Sequence, residues 1–168
     1  CIFLPTLASA KPLHIFVSVL PLQTFVEKIG GEHVEVQTLV RPGHNPATYS
    51  PTPQQISALA QADLYIRTGV PFEQAWMPRI QATNKTMPIL DARKGIQLRQ
   101  LEAHHDGHHD GQDPHIWTSP KAAKHIARNI QQQLGQLDPN NQQNYQQNYA
   151  SFAQQLDELD QQIQTLLA

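Results

Sequence analysis

Four short apolar runs, each separated from the next by a segment with helical spacing, constrain this chain more than any other feature. The runs are His14–Val19, Val34–Val40, Asp63–Thr68 and Met87–Leu90. Between the first two, Pro21 opens a stretch with Leu22, Phe25, Val26 and Ile29 on one helical face, and Gly30-Gly31 stops it. Thr52-Pro53-Gln54-Gln55 reads as an N-cap, a proline in the first turn and a capping-box glutamine, so a helix runs from there to about Gln61. A third helix is expected from about Phe72 to Ala82. Strands alternating with helices of this length predict right-handed βαβ units and an α/β fold, here a four-stranded parallel sheet with flanking helices. In such sheets ligands sit beyond the carboxyl ends of the strands. The loops beginning at Arg41, Gly69 and Asp91 should therefore share one edge, which brings Gly43-His44-Asn45-Pro46, Glu73 and the segment after Asp91 together.

Beyond Asp91 lies a long loop, then a helix capped by Ser119 with Pro120 in its first turn and Ala123, Ile126, Ala127, Ile130 and Leu134 facing inward. Asp138-Pro139-Asn140 marks a break. The last helix places Tyr145, Tyr149, Phe152, Leu156, Leu159, Ile163 and Leu166 at alternating spacings of four and three. That is a narrow apolar seam on a glutamine-rich rod, suited equally to a coiled-coil dimer or to packing along one side of a domain.

Hydrophobic residues make up 39% of the 168 positions and the net charge is -2, values that argue against disorder and against a nucleic-acid partner. The one cysteine, Cys1, has no intramolecular partner. The apolar stretch Cys1–Leu7, followed by Ala8-Ser9-Ala10 and Lys11, resembles the end of an export signal with its cleavage site. A lipid-modified Cys1 and an ordinary first strand are the other two readings. No run reaches the roughly 18 apolar residues of a membrane helix, so the chain is not expected to span a membrane.

Chemistry concentrates in His104-His105-Asp106-Gly107-His108-His109-Asp110-Gly111. Neutral imidazole suits zinc, copper and nickel, and interleaved Asp and Gly keep such a loop solvated and mildly anionic. His104, His105, His108 and His109 therefore read as a weak, adaptable metal-gathering loop, against the alternative of a solvated linker that happens to be histidine-rich. In Asp113-Pro114-His115-Ile116-Trp117 a single His is held between a proline and bulky apolar residues, and His115 looks positioned, a candidate ligand against the alternative of a structural histidine. His44, in the turn after the second strand, is a candidate second nitrogen at the same edge or a surface turn residue. His14, His33 and His125 read as structural or solvent-exposed. Neither a His-Glu-x-x-His helix nor a Gly-x-Ser-x-Gly elbow is present, nor a glycine-rich phosphate loop, and an enzyme is not expected. A catalytic zinc would need a paired base, for which Glu73 qualifies by position alone.

These residues resemble a known family, the periplasmic solute-binding proteins of zinc and manganese ABC importers, sometimes grouped as cluster A-I. The resemblance runs from about Leu13 to the end. It is carried by the first strand with Pro21, by the stretch from Gly43-His44-Asn45-Pro46-Ala47 to Pro53, by Ala62-Asp63-Leu64, by Gly69-Val70-Pro71-Phe72-Glu73 and by Asp113-Pro114-His115-Ile116-Trp117. It implies a two-lobed protein about twice this length, with a long helix joining lobes of ordinary domain size. On that reading residues 1–10 end a signal peptide, 11–137 form the N-terminal metal-binding lobe with its His-rich loop at about 102–112, and 138–168 form the connecting helix. The C-terminal lobe, with its own ligands, is absent from the sequence. The resemblance further implies zinc as cargo, favoured over manganese by the His-rich loop, a membrane permease as partner, a periplasmic location and a monomer at full length. A stand-alone periplasmic zinc store, and more remotely a metal-dependent hydrolase, are the competing readings. His115 matches the family's ligand motif directly. The family's first ligand position is occupied here by Ala47, which cannot coordinate; His44 three residues earlier is expected to supply that nitrogen, with a water or a histidine of the His-rich loop as the alternatives.

Two outcomes follow from coordination physics. Ligation needs neutral imidazole, so acidification toward pH 5 should release the metal, and an affinity unchanged from pH 7.5 to 5 would rule out histidine ligands. If the loop feeds a fixed site, deleting His104–Asp110 should slow loading and lower the stoichiometry. A deletion that changes neither denies the loop that role.

Overall fold

The computed structural model describes residues 11–99 and 113–167. Strands β1 (Leu13–Val17), β2 (Val34–Thr38), β3 (Leu64–Arg67) and β4 (Ile89–Asp91) form one sheet in the order β2-β1-β3-β4, parallel throughout. Helices α1 (Leu20–Gly30), α2 (Pro53–Leu59) and α3 (Pro71–Thr83) make the crossovers, and α4 (Pro120–Leu137) and α5 (Gln142–Leu167) follow. This is the α/β arrangement that the alternation of runs predicts.

The central strands are covered on both faces. Ile15, Phe16 and Val17 of β1, and Leu64, Tyr65 and Ile66 of β3, are buried in succession, which is why they read as continuous apolar runs. At the edge, β2 instead alternates half-buried Val34 and Val36 with exposed Glu35 and Gln37. The apolar run there continues to Val40, but the strand stops at Thr38. Leu39 and Val40 turn inward and donate their amides to Val17 O and Ser18 O at 2.9 and 3.0 Å.

Local chemistry sets the helix ends. At α2, Thr52 and Gln55 form the complete capping box: Gln55 N–H donates to Thr52 Oγ1, and Thr52 N–H donates to Gln55 Oε1. α1 ends where Gly31 takes φ 55°, and Gly30 packs so close to Val34 that a Cβ there would strike the valine side chain. The Ser119 side chain, expected to cap α4, makes no capping bond, and the helix begins with Pro120, whose missing N–H removes one orphan donor. The inward face of α4 is as the spacing predicts, with Ala123, Ile126, Ala127, Ile130 and Leu134 all buried.

The seam of α5 is used unevenly. Tyr145 and Leu156 are buried, and Phe152 meets Phe25 of α1 edge-on at 5.5 Å. Beyond them Leu159 and Leu166 are 45% and 85% exposed. α5 thus lies along α1 and α4 over its first turns and then runs on with its stripe uncovered.

At the carboxyl end of the sheet, Asp91 joins β3 to the segment after β4. It accepts from Arg93 Nε (2.9 Å), Arg93 Nη2 (2.7 Å) and the Arg93 amide (3.0 Å), and pairs with Arg67 Nη2 at 2.9 Å. Burial pushes this carboxyl up, but the Arg93 hydrogen bonds and the two guanidinium charges outweigh it and hold Asp91 below the usual carboxylate range. A depressed acid adds stability that is present above its unfolded value near 4 and lost as pH falls through the lower folded value. Asp91→Asn should therefore cost about 1–3 kcal/mol in urea unfolding at pH 7. The deficit should shrink below about pH 4, where wild type loses the same contribution. A deficit independent of pH would show that packing, not charge, holds this corner.

Candidate metal centre

The crossover from β1 leads to one side of the sheet and that from β3 to the other, so the topological switch point lies between these two strands. A cavity of about 460 Å³ opens there. Val19 and Leu20 line it from the β1–α1 turn, His44 and Ala47 from the β2–α2 loop, Val70 from the β3–α3 turn, and Pro114, His115 and Trp117 from the segment before α4. The two positioned histidines expected from the sequence, 71 residues apart in the numbering, share this cavity. The walls around them are largely apolar. Such walls lower the local dielectric and strengthen any metal–ligand attraction inside.

His44 sits in a loop of consecutive turns. Its amide donates to Arg41 O at 3.1 Å, Ala47 N–H donates to Asn45 Oδ1 at 2.8 Å, and Thr48 N–H to Asn45 O at 3.2 Å. Gly43 takes φ 83°, a conformation an L side chain rarely adopts. The imidazole meets Tyr49 edge-on at 5.5 Å, and Tyr49 in turn meets Phe72 at 5.9 Å. Tyr49 OH donates to Gln55 Oε1 (2.8 Å), while Gln55 Nε2 donates to Leu39 O (2.8 Å). The capping glutamine of α2 thus also ties the base of the His44 loop to the end of β2.

His115 is oriented by the residue two before it. Asp113 Oδ1 takes the His115 amide at 3.0 Å and stands 2.7 Å from Nδ1. The Asp113 carboxyl is held below the usual range, first by the His115 amide and then by its ring. With the Nδ1 proton directed at a carboxylate, the lone pair for a metal is on Nε2, the arrangement in which an outer carboxylate fixes tautomer and ring orientation. Trp117 meets the ring edge-on at 5.3 Å.

Other expected positions fall elsewhere. His104, His105, His108 and His109 lie outside the described residues. His14 is half-buried at the start of β1 with Nδ1 3.4 Å from Glu35 Oε2, His33 packs on Tyr145 at the far end of α1, and His125 is exposed on α4. Glu73 is at the expected edge but turned inward at 2% exposure, where Oε1 accepts Thr68 N–H (3.0 Å) and Oε2 accepts Gly69 N–H (2.7 Å). Burial pushes its carboxyl up, offset in part by hydrogen bonds from Ser18 and these two amides and by the Arg67 charge. With both oxygens occupied by backbone, Glu73 holds the β3–α3 turn and offers no free base to the cavity. Asp113 and Gln55 were not anticipated in their orienting roles. The Asp-x-His spacing of Asp113 and His115 is the signal that could have revealed the first.

Among the described residues no group of three or more His, Cys, Asp or Glu side chains converges. Two imidazoles would make half of the four-ligand shell that zinc favours.

The sheet order, its flanking helices and the long C-terminal helix are those of one lobe of a solute-binding protein. The chain belongs to the family described as ZnuA, zinc-uptake complex component A, periplasmic, whose pattern matches residues 15–168. It is 28% identical over 161 residues to the high-affinity zinc uptake system protein ZnuA of Bacillus subtilis, covering 88% of this chain and 49% of that protein. To the manganese ABC transporter substrate-binding lipoprotein PsaA of Streptococcus pneumoniae it is 28% identical over 160 residues, covering 92% and 51%. Among solved structures it matches a crystal structure of ZnuA with TM-score 0.82 and 40% identity, covering 90% of this chain and 57% of that one. A zinc-bound ZnuA deletion mutant matches with TM-score 0.83, 39% identity and the same coverage. The chain spans about half the length of the curated relatives it matches.

Proposed function

We propose that this chain captures zinc outside the cytoplasm, in the periplasm, and presents it to the membrane permease of an ABC importer, with no catalytic step. The observation that carries the reading is His44 and His115 on one apolar-walled cavity at the sheet's switch point, with Asp113 on the Nδ1 side of His115. In this reading His115 Nε2 is one ligand. His44 takes the place of the ligand that Ala47 cannot provide, since both residues line the same wall. Residues 11–137 act as the receiving lobe, 138–168 as a connector and 1–10 as the end of an export signal. The remaining ligands come from a second lobe, and the full-length protein works as a monomer. His104, His105, His108 and His109 gather zinc loosely and pass it on. Nitrogen ligands support zinc over manganese, which prefers carboxylate, carbonyl and water oxygens. The inward turn of Glu73 supports a receptor over a hydrolase.

Parallel calorimetric titrations of the chain with zinc and manganese test the cargo. Zinc should bind at least about tenfold more tightly. Equal or tighter manganese binding would reassign the cargo, and no zinc heat at micromolar protein would remove the capture reading.

A further inference from the structure

The segment carrying His115 is well ordered within itself. Asp113 closes on the His115 amide and ring, and Thr118 Oγ1 donates to His115 O at 2.7 Å. Those bonds fix the imidazole relative to its own turn but not relative to the sheet. Among the described residues one hydrogen bond links this segment to the sheet's edge: Thr68 Oγ1, at the end of β3, donates to Pro114 O at 3.3 Å. Thr68 is fully buried, and its own amide is committed to Glu73. Pro114 has a fixed φ and no N–H, so a bond to its carbonyl sets the plane of the peptide that leads directly into His115. The same β3–α3 turn holds the other loop: Phe72 N–H donates to Pro46 O at 3.2 Å, and the Phe72 ring supports Tyr49 beneath His44. Thr68 and Phe72, four residues apart, thus connect both imidazole-bearing segments to one turn, which Glu73 braces from inside.

We propose that Thr68 is a positioning residue for metal capture: its hydroxyl, bonded to Pro114 O, sets where the His115 imidazole stands relative to the His44 loop. The proposal rests on the two-histidine reading above. Its consequence is that a side chain which does not face the metal controls affinity through preorganisation. Capture then costs less reorganisation than it would without that bond, when the Asp113 amide on Arg99 O (2.9 Å) and buried Ile116 would hold the segment.

The test uses the whole chain and three variants, with a competing chelator keeping free zinc low enough to suppress weak loop sites. Thr68→Val keeps the shape and the amide bond to Glu73 but removes the hydroxyl, Thr68→Ser keeps the hydroxyl, and His115→Ala removes the ligand. Zinc affinity, the apo unfolding midpoint and the His115 ring signals in NMR are read for each, well below the unfolding transition. Thr68→Val should weaken zinc by about five- to tenfold and shift the apo His115 ring signals. Thr68→Ser should return both toward wild type. If Thr68→Val binds as wild type, or Thr68→Ser is as weak as Thr68→Val, the positioning role is overturned while the histidine site stands. If His115→Ala binds zinc as wild type, the site reading itself fails, and the proposal with it.

Discussion

Replacing His115 with alanine should remove the tightest zinc component of this chain, a loss of at least about 100-fold, or roughly 2.7 kcal/mol. The size follows from the geometry. Among the described residues His44 and His115 are the imidazoles that line the cavity, so the substitution leaves a single imidazole there. Asp113, still buttressed by the turn, would be left with an amide partner and no ring. Deleting His104–Asp110 should remove only weaker components, because the interleaved glycines in that sequence favour no single ligand geometry. Calorimetry on the two variants side by side separates these contributions. A silent His115→Ala, with all heat lost on loop deletion, would make the chain a histidine-rich sponge whose specific site lies elsewhere.

The fold was legible because its central elements obey local rules that tertiary contacts reinforce. β1 and β3 are continuous apolar runs because helices cover both faces, and Thr52 and Gln55 announce α2 by capping chemistry that depends on four consecutive residues. Boundaries were less legible. Leu39 and Val40 are as apolar as any strand residue, yet the strand ends at Thr38 and they fill the core while still bonding to Val17 O and Ser18 O, and apolarity alone does not mark that boundary. That His44 and His115 line one cavity agrees with the parallel-sheet rule, which brings the loop after β2 and the segment after Asp91 to the carboxyl edge. In the sequence Thr68 stands only as the last residue of an apolar run. Its bond to Pro114 spans 46 residues and leaves no periodic or spacing signal.

Glu73 shows most clearly how position and orientation differ. It stands at the predicted edge, in the first turn of α3, yet its carboxylate faces back into the protein to take the amides of Thr68 and Gly69. Glu73→Ala would orphan both amides at a buried turn where Gly69 takes φ 82° and the Arg93 guanidinium occupies the space a Cβ would need. Each lost partner costs about 1–3 kcal/mol, so the variant should lose about 2–6 kcal/mol, a large part of the 5–15 typical of a domain. Its unfolding midpoint should fall by roughly 5–20 °C. The direction of the pKa shift adds a second condition. Because burial raises this carboxyl, the folded state holds its proton more tightly than the unfolded state. The stability Glu73 contributes is therefore greatest below its unfolded value near 4.3 and declines as pH rises through the folded value. The deficit of Glu73→Ala should accordingly be larger at pH 4 than at pH 8, opposite in trend to that of Asp91→Asn at the same edge. Urea unfolding of the two variants across that range reads both slopes. A Glu73→Ala deficit that grew with pH would mean that the two amides favour the carboxylate more than burial disfavours it, so that the turn is braced by charge.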